Sequence, residues 1–390
     1  MTIEPFQIAV PDPVLEDLQR RLDATIWPQT LDDAGWDYGT DLATLRALVE
    51  HWRHRFDWRA RERELNAFPH YRVRIGNALV HCIWARAQGG GPPRMPLVLT
   101  HGWPSTFYEL TGVVEPLTRA GFDVVVPSLP GYGFSSPPTR RGFGANQVAD
   151  LWVELMAKLG YERFGSHGGD WGSAVTTALG ARHPDKLIGL HVNMLAPPVD
   201  PAKLSAEDRA WWQGVLDYRD REWGYVHLQR TKPQTASFAL TDSPVGLAAW
   251  LLEKWWRWSD IEDAAGRRDL ARRYSNDQIL TTIMLYWVTR SIGPSMRMYF
   301  ETFARGNQIP QPARIEVPLG VAAFRESNRV PRALAEPHYN VVRWEVIDDG
   351  GHFPGLENPA RLAHEIEAFF GALADSGSRP GSRAAVAGGG

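Results

Sequence analysis

Asp170 stands at the centre of a Gly-Gly-Asp-Trp-Gly segment, residues 168–172, between a short apolar run and a helical pattern. Small residues on both sides are what a sharp strand-to-helix turn requires, because a bulky Cβ would clash there. Such a turn can present its central side chain as a nucleophile. A carboxylate attacks saturated carbon and leaves an alkyl ester, whereas a serine would attack a carbonyl. The alternative is an ordinary glycine-rich turn in which Asp170 caps the following helix, a position that aspartate favours.

A second segment, His-Gly-Trp-Pro at residues 101–104, directly follows an apolar strand pattern at residues 97–100. In hydrolases built on a nucleophile turn, two backbone N–H groups stabilise the oxyanion. One comes from the residue after the nucleophile and one from this early strand–helix loop. We therefore predict Trp171 and Trp103 as the oxyanion-hole residues. A plain Gly/Pro turn is the alternative, since such residues punctuate loops generally.

A general base is predicted at His352, in the Gly-Gly-His-Phe-Pro segment that follows the last predicted strand. In chain order the acid precedes this base, and Glu326 comes directly after the strand at residues 317–324. Its carboxylate would hold one tautomer of the imidazole and stabilise the imidazolium. The competing carboxylates are Glu336, Asp348 and Asp349. The last two lie too close to His352 along the chain, so we favour Glu326 over an ordinary surface role for it.

The order of elements predicts a mostly parallel central sheet with helices on both faces, which together with the motifs is the α/β-hydrolase fold. Short buried strands are predicted at residues 97–100, 122–127, 162–166, 187–194, 317–324 and 341–346. Helices are predicted between them, at residues 108–120, 145–159 and 173–182, and a last helix at residues 359–373.

The domain organisation follows from where this alternation stops and resumes. Residues 1–70 are predicted to form an N-terminal helical extension packed on the core. Residues 71–196 form the first part of the core and begin with a β-hairpin that turns at Gly76-Asn77. Residues 197–312 form a helical cap inserted between two late strands, and residues 313–374 supply the last strands and helix. The Gly/Ser/Arg/Ala-rich tail at residues 375–390 is predicted to be disordered.

The composition indicates a globular enzyme with no nucleic-acid or membrane partner. The net charge is −3 and the isoelectric point is about 6.5, so the protein has no positive electrostatic field that would attract a polyanion. One cysteine, Cys82, excludes an internal disulfide framework. No apolar run reaches the about 18 residues of a membrane span, and no signal peptide is evident, so we expect a cytoplasmic protein. The 17 tryptophans indicate packed helices or an aromatic-lined cavity, and packing is the favoured interpretation.

Together the motifs resemble those of the microsomal-type epoxide hydrolases of the α/β-hydrolase superfamily. The resemblance extends from residue 6 to the last helix and covers nearly the whole chain. The segments that carry it are residues 27–28, 36–39, 66–69, 101–104, 127–135, 168–172 and 242–250. The chain departs from the microsomal members in lacking their membrane-anchoring N-terminal helix, and it is therefore expected to be soluble.

The resemblance implies that two cap tyrosines, Tyr225 and Tyr299, donate hydrogen bonds to an epoxide oxygen, and that Glu326 is the acid. Without the resemblance, tyrosines in this Trp-rich region would be interpreted as packing residues. A phenol suits the role because a ring-opened alkoxide leaves poorly unless it is protonated or strongly hydrogen-bonded. Asp170 would then open the ring, and His352 would activate a water that hydrolyses the resulting ester.

The implied reaction converts a small-molecule epoxide and water into a vicinal diol, without metal or organic cofactor. The sequence is compatible with a homo-oligomer. The aromatic cap favours a bulky aryl or unsaturated epoxide. Catabolism or detoxification of aromatic hydrocarbons, and biosynthesis of a secondary metabolite such as an enediyne, are both compatible settings. One alternative is a haloalkane dehalogenase with the same Asp/His pair, whose halide Trp103 and Trp171 would hold. Another is a non-catalytic hydrolase-fold protein that binds an apolar ligand.

Overall fold

Nine strands of the described residues form one sheet. A computed structural model of the chain describes residues 3–91, 93–304, 307–310, 312–325 and 329–377. The strands are β1 (Ile3–Pro5), β2 (His70–Ile75), β3 (Ala78–Ala85), β4 (Pro96–Thr100), β5 (Asp123–Pro127), β6 (Phe164–Gly168), β7 (Leu187–Val192), β8 (Ile315–Ala323) and β9 (Tyr339–Val346). Their order is β1-β2-β3-β5-β4-β6-β7-β8-β9. The six strands from β5 to β9 in this order are parallel, and β1, β2 and β3 extend one edge in antiparallel pairing.

Helices cover this sheet, as its buried central strands require. The helices are α1 (Asp12–Asp23), α2 (Leu42–His54), α3 (Trp58–Leu65), α4 (Thr111–Arg119), α5 (Ala145–Lys158), α6 (Trp171–Arg182), α7 (Ala206–Glu222), α8 (Gly224–Thr231), α9 (Pro233–Asp242), α10 (Pro244–Trp258), α11 (Asn276–Thr289), α12 (Ile292–Phe303), α13 (Arg332–Ala335), α14 (Pro354–Glu357) and α15 (Pro359–Gly377). Helix α5 packs on α6, and α4 packs on α15, beside the strands. None of the helices in the described ranges has the length and apolarity needed to cross a membrane.

The predicted fold is confirmed, and β6 is the strand whose predicted position differs most from the observed one. The pattern at residues 162–166 predicts a strand that begins and ends two residues too early, because β6 is Phe164–Gly168. Its last two residues pair with both neighbours, as Gly168 lies opposite Thr100 of β4 and Val192 of β7. Parallel pairing on both sides therefore extends β6 to the edge at which the Asp170 turn begins.

The predicted helical insertion is present between β7 and β8 and contains α7 to α12. Helix α10 shows why these segments are helical. Ser243 accepts a hydrogen bond from the Gly246 N–H at its start, and Pro244 occupies the first turn, where its missing N–H has no cost. One face then buries Leu247, Leu251 and Trp255.

The N-terminal extension contacts the cap as well as the sheet. β1 pairs with β2, whereas the helical part of the extension lies against the insertion. The Trp36 and Trp256 rings stack in parallel with centroids 4.2 Å apart, and the Thr40 hydroxyl donates to the Ala249 carbonyl at 2.6 Å. We propose the division into extension, two-part core and cap on this basis. Within the predicted tail, residues 378–390 lie outside the described residues.

Candidate active site

Asp170 lies at the junction between β6 and α6. Its backbone has φ 48° and ψ −120°, in a left-handed region that non-glycine residues rarely adopt and that is concentrated at functional sites. It occupies the N-cap position of α6, but its side chain makes no capping hydrogen bond. Asp170 therefore occupies the cap position without capping the helix through its side chain.

Two glycines give this turn the room it needs. A Cβ on Gly102 would lie 2.4 Å from Asp170 Cβ and 2.5 Å from its Oδ1. A Cβ on Gly172 would lie 1.9 Å from the Thr100 carbonyl oxygen. Both distances are far shorter than van der Waals contact. Side chains at these two positions would displace either the carboxylate or the loop that faces it.

The loop after β4 directs a backbone donor at the carboxylate. The Trp103 N–H donates to Asp170 Oδ1 at 2.8 Å. Cap side chains hold this loop, since Trp255 Nε1 donates to the Pro104 carbonyl at 3.2 Å and the Tyr286 hydroxyl donates to the Ser105 carbonyl at 2.9 Å. Trp171 is the first residue of α6, and its N–H belongs to the first turn, where amides have no intrahelical acceptor.

His352 reaches Asp170 from the loop after β9. Its Nε2 lies 3.7 Å from Asp170 Oδ2. Its backbone N–H donates to the Trp258 carbonyl at 3.1 Å, and the Trp258 ring packs on the imidazole with centroids 4.7 Å apart. Buried Glu357 accepts from the Gly351 and Phe353 N–H groups, each at 2.8 Å. Glu357, which the sequence analysis did not identify, thus anchors the backbone on both sides of the histidine.

The acid partner of His352 stays a prediction, because Glu326 lies outside the described residues. The three alternative carboxylates each bind an arginine at the surface. The pairs are Glu336 with Arg332 at 2.7 Å, Asp348 with Arg329 at 3.0 Å, and Asp349 with Arg273 at 2.5 Å. All three carboxylate side chains are at least half exposed.

The two predicted cap tyrosines lie together above the same loop. Tyr225 of α8 and Tyr299 of α12 have ring centroids 5.9 Å apart. The Trp103 ring stacks on Tyr225 at 5.3 Å, and Trp171 meets Tyr299 edge-on at 4.7 Å. Burial raises the pKa of both phenols well above its usual value, and the Asp170 carboxylate adds to the shift. Both side chains are therefore protonated donors at neutral pH.

A cavity of about 220 Å³ lies between the Asp170 turn and the cap. Asp170, Tyr225 and His352 all line it. Its remaining walls are mostly apolar and include Leu195, Trp211, Trp212, Val215, Trp223 and Trp258. Other tryptophans pack instead, as buried Trp255 and stacked Trp256 do. Both interpretations of the tryptophan clusters therefore hold, each for different residues.

A second cavity of about 10 Å³ lies on another side of the carboxylate, and Asp170, His352 and Glu109 line it. This volume is about that of one water molecule. Burial, with a smaller contribution from the Asp170 carboxylate, raises the pKa of Glu109 to about 7, although a Ser105 hydrogen bond and His352 oppose the shift. The sequence analysis missed Glu109, although a carboxylate within the apolar pattern after residues 101–104 could have drawn attention to it.

Comparisons with known proteins agree with this architecture. Residues 3–110 match the epoxide hydrolase N terminus family, and residues 95–285 match the alpha/beta hydrolase fold family. Epoxide hydrolase 1 of Oryctolagus cuniculus is 34% identical over 408 residues, which cover 95% of this chain and 89% of that protein. The crystal structure of juvenile hormone epoxide hydrolase from Bombyx mori superposes with a TM-score of 0.84 at 31% identity, covering 96% of this chain and 94% of that one.

An Aspergillus niger epoxide hydrolase structure gives a TM-score of 0.83 at 28% identity, over 96% of this chain and 97% of that one. These likenesses span the extension, the sheet and the cap together. With a carboxylate on the strained turn after β6, a histidine beside it and paired tyrosines above, the chain belongs to the epoxide hydrolase family of the α/β-hydrolase fold.

Proposed function

We propose that this protein hydrolyses an epoxide to a vicinal diol through an ester formed on Asp170. The observation that carries the proposal is the carboxylate on a strained turn, with His352 Nε2 3.7 Å away and the phenols of partly buried Tyr225 and buried Tyr299 lying over the same loop. The relatives named epoxide hydrolase support the reaction class. In this proposal the side chains and the backbone amides of Trp103 and Trp171 supply every group that the two half-reactions need, apart from the water that is consumed.

In the first half-reaction, Asp170 attacks one ring carbon and the carbon–oxygen bond of that carbon breaks. The electron pair moves to the epoxide oxygen, which Tyr225 and Tyr299 bind and one of them protonates. Because an alkoxide is a poor leaving group, this donation is where the phenols lower the barrier. The product is an ester between Asp170 and the ring-opened alcohol.

In the second half-reaction, His352 takes a proton from water while the oxygen attacks the Asp170 carbonyl carbon. The amides of Trp103 and Trp171 stabilise the resulting oxyanion. Collapse breaks the bond to the alcohol oxygen, which takes the proton of the added hydroxyl, so the diol leaves and Asp170 is again a carboxylate. The imidazolium then returns its proton to the tyrosinate. Glu326 is proposed to orient the His352 ring. The small cavity shared by Asp170, His352 and Glu109 supports a water position beside the ester.

The walls of the larger cavity support a bulky, aryl or unsaturated substrate. Indole rings of Trp211, Trp212, Trp223 and Trp258 line it and would stack on flat apolar groups. We propose that the protein acts in the cytoplasm, in the metabolism of aromatic compounds or in the biosynthesis of a secondary metabolite. An assay with racemic aryl and alkyl oxiranes and chiral analysis of the diols would define the substrate range.

A haloalkane dehalogenase is the second candidate. In the described residues the buried Trp103 indole N–H has no hydrogen-bond partner, and such a donor could hold a halide. The two phenols favour an epoxide oxygen instead, because they can donate a proton to an alkoxide. Chloride release from a haloalkane, with no diol from styrene oxide, would favour the dehalogenase. Binding of styrene oxide without turnover would favour a non-catalytic binder.

A single turnover in heavy-oxygen water tests the covalent step. We expect the label to enter the Asp170 carboxylate, because the water attacks the carbonyl carbon of the ester and the substrate keeps an original aspartyl oxygen. Peptide mass spectrometry locates the label, and Asp170→Asn is the control that should form no ester. Label found solely in the diol, with unlabelled enzyme recovered, would contradict the mechanism.

A further inference from the structure

Lys254 is a buried cation that has no role in the reaction proposed above. It lies on α10 between Glu253 and Trp255, and only 5% of the residue is exposed. Lysine is rarely buried to this extent unless it is paired. Its Nζ lies 2.5 Å from Glu253 Oε2, which provides such a partner. An ion pair between adjacent residues explains why the charge is tolerated, but not why it faces inward.

The ammonium group faces the ring of a predicted epoxide-oxygen donor. Lys254 Nζ lies over the Tyr225 ring, 4.7 Å from its centroid, and 5.8 Å from the Trp258 ring. The Trp258 ring in turn packs on Tyr225 and on His352. A cation within about 6 Å of an aromatic centroid is attracted to the face of the ring, most strongly where water is excluded. Lys254 therefore contacts the site through Tyr225.

The surroundings of Tyr225 otherwise disfavour charge on its oxygen. Burial raises the pKa of this phenol well above its usual value, and the Asp170 carboxylate and, to a smaller extent, Glu253 act in the same direction. A hydrogen bond with Tyr299 opposes this shift without cancelling it. When the phenol donates to a developing alkoxide, negative charge moves onto its oxygen and ring. A positive charge held over the ring stabilises that charge, and a buried cation does so with little screening by water.

We propose that Lys254 is a positioning residue for ring opening. Its ammonium group holds the Tyr225 ring and stabilises the negative charge that the phenol acquires as it donates to the epoxide oxygen. The proposal rests on the proposed epoxide hydrolysis and on Tyr225 as a donor. It assigns Lys254 to the ester-forming step only. Hydrolysis of the ester depends on His352 and water, and Lys254 has no part in it.

Single-turnover kinetics of Lys254→Met test the assignment, with ester formation and ester decay followed by rapid quench and intact-protein mass on styrene oxide. We expect ester formation to slow about tenfold, the scale of a desolvated cation–π contact, and ester decay to stay near the wild-type rate. Lys254→Arg should restore ester formation, since it restores the cation. If Lys254→Met does not fold, Glu253→Gln/Lys254→Gln removes both charges, retains polar side chains and carries the same expectation.

A double-mutant cycle separates this role from simple structural support. In a Tyr225→Phe background, Lys254→Met should cause no further slowing, whereas in a Tyr299→Phe background its effect should persist. Equal slowing in the Tyr225→Phe background, equal loss in both half-reactions, or wild-type ester formation in Lys254→Met would each overturn the inference. A wild-type protein that forms no ester from any epoxide would instead overturn the proposed function, which a negative Lys254 result alone would not.

Discussion

His352 Nε2 and Asp170 Oδ2 lie 3.7 Å apart, although one residue follows β9 and the other follows β6. The parallel sheet brings the two loops to the same edge, and the Trp258 ring and the Glu357 carboxylate fix the histidine loop there. The two side chains are close enough for a water to reach both. Substitution of each residue can therefore test whether Asp170 acts as the nucleophile and His352 as the base.

We expect His352→Gln to form the ester on Asp170 and to hydrolyse it extremely slowly, because the nucleophile is intact and the base is missing. Intact-protein mass after incubation with styrene oxide should show a stable adduct of one substrate. Asp170→Asn/His352→Gln is the control and should show none. Absence of the adduct in a folded His352→Gln protein would count against a covalent intermediate.

Tyr225→Phe and Tyr299→Phe should each lower kcat/KM by about 10- to 100-fold, since each removes one donor to the epoxide oxygen. The double variant should lose more than either single one. Steady-state diol formation measures the effect, and Tyr38→Phe, at a tyrosine that is 81% exposed, is the matched control. Unchanged rates in both single variants would remove the tyrosines from the mechanism.

Gly102→Ala should lower kcat by about 100-fold or more while the protein stays folded, because its Cβ would overlap the Asp170 side chain and move the carboxylate. Gly214→Ala on α7 is the control, since a Cβ there meets nothing within 4 Å and removes only a helix-weakening glycine. Diol formation and thermal unfolding should be compared for both variants. Normal activity in Gly102→Ala would show that the turn tolerates a side chain.

Glu109 should make the protein less stable as the pH rises. Its pKa is raised by burial from 4.5 to about 7 in the folded protein, so the unfolded chain loses this proton at lower pH. The contribution of Glu109 to the free energy of unfolding therefore falls between pH 4.5 and about 7 and is constant above that.

Glu109→Gln, which cannot ionise, should gain stability relative to the wild-type protein across this window, by up to about 3 kcal/mol. Urea unfolding at about pH 5 and about pH 8 measures the difference. Glu115→Gln, at a largely exposed α4 carboxylate, is the control and should follow the wild-type curve. Parallel pH dependence of Glu109→Gln and the wild-type protein would contradict the prediction.

The local features of this protein follow from its amino-acid sequence alone. Glycines on both sides of Asp170 indicate a sharp strand–helix turn, and alternating strands and helices can pack in only a few ways. The parallel sheet, the insertion and the order of Asp170 before His352 could therefore be predicted. The shift of β6 by two residues could not, because its end depends on hydrogen bonds to Thr100 and Val192 in other strands.

Which side chains from distant segments share one site depends on how the folded elements pack together. The stacking of Trp103 on Tyr225, the carboxylate of Glu109 beside Asp170, and the ammonium group of Lys254 over the Tyr225 ring each join segments that no local pattern relates. In sequence, Lys254 and Glu109 are ordinary charged residues of amphipathic helical segments. Their burial, and the strengthening of electrostatic interactions that burial brings, exist only in the folded protein, where segments distant in sequence pack together.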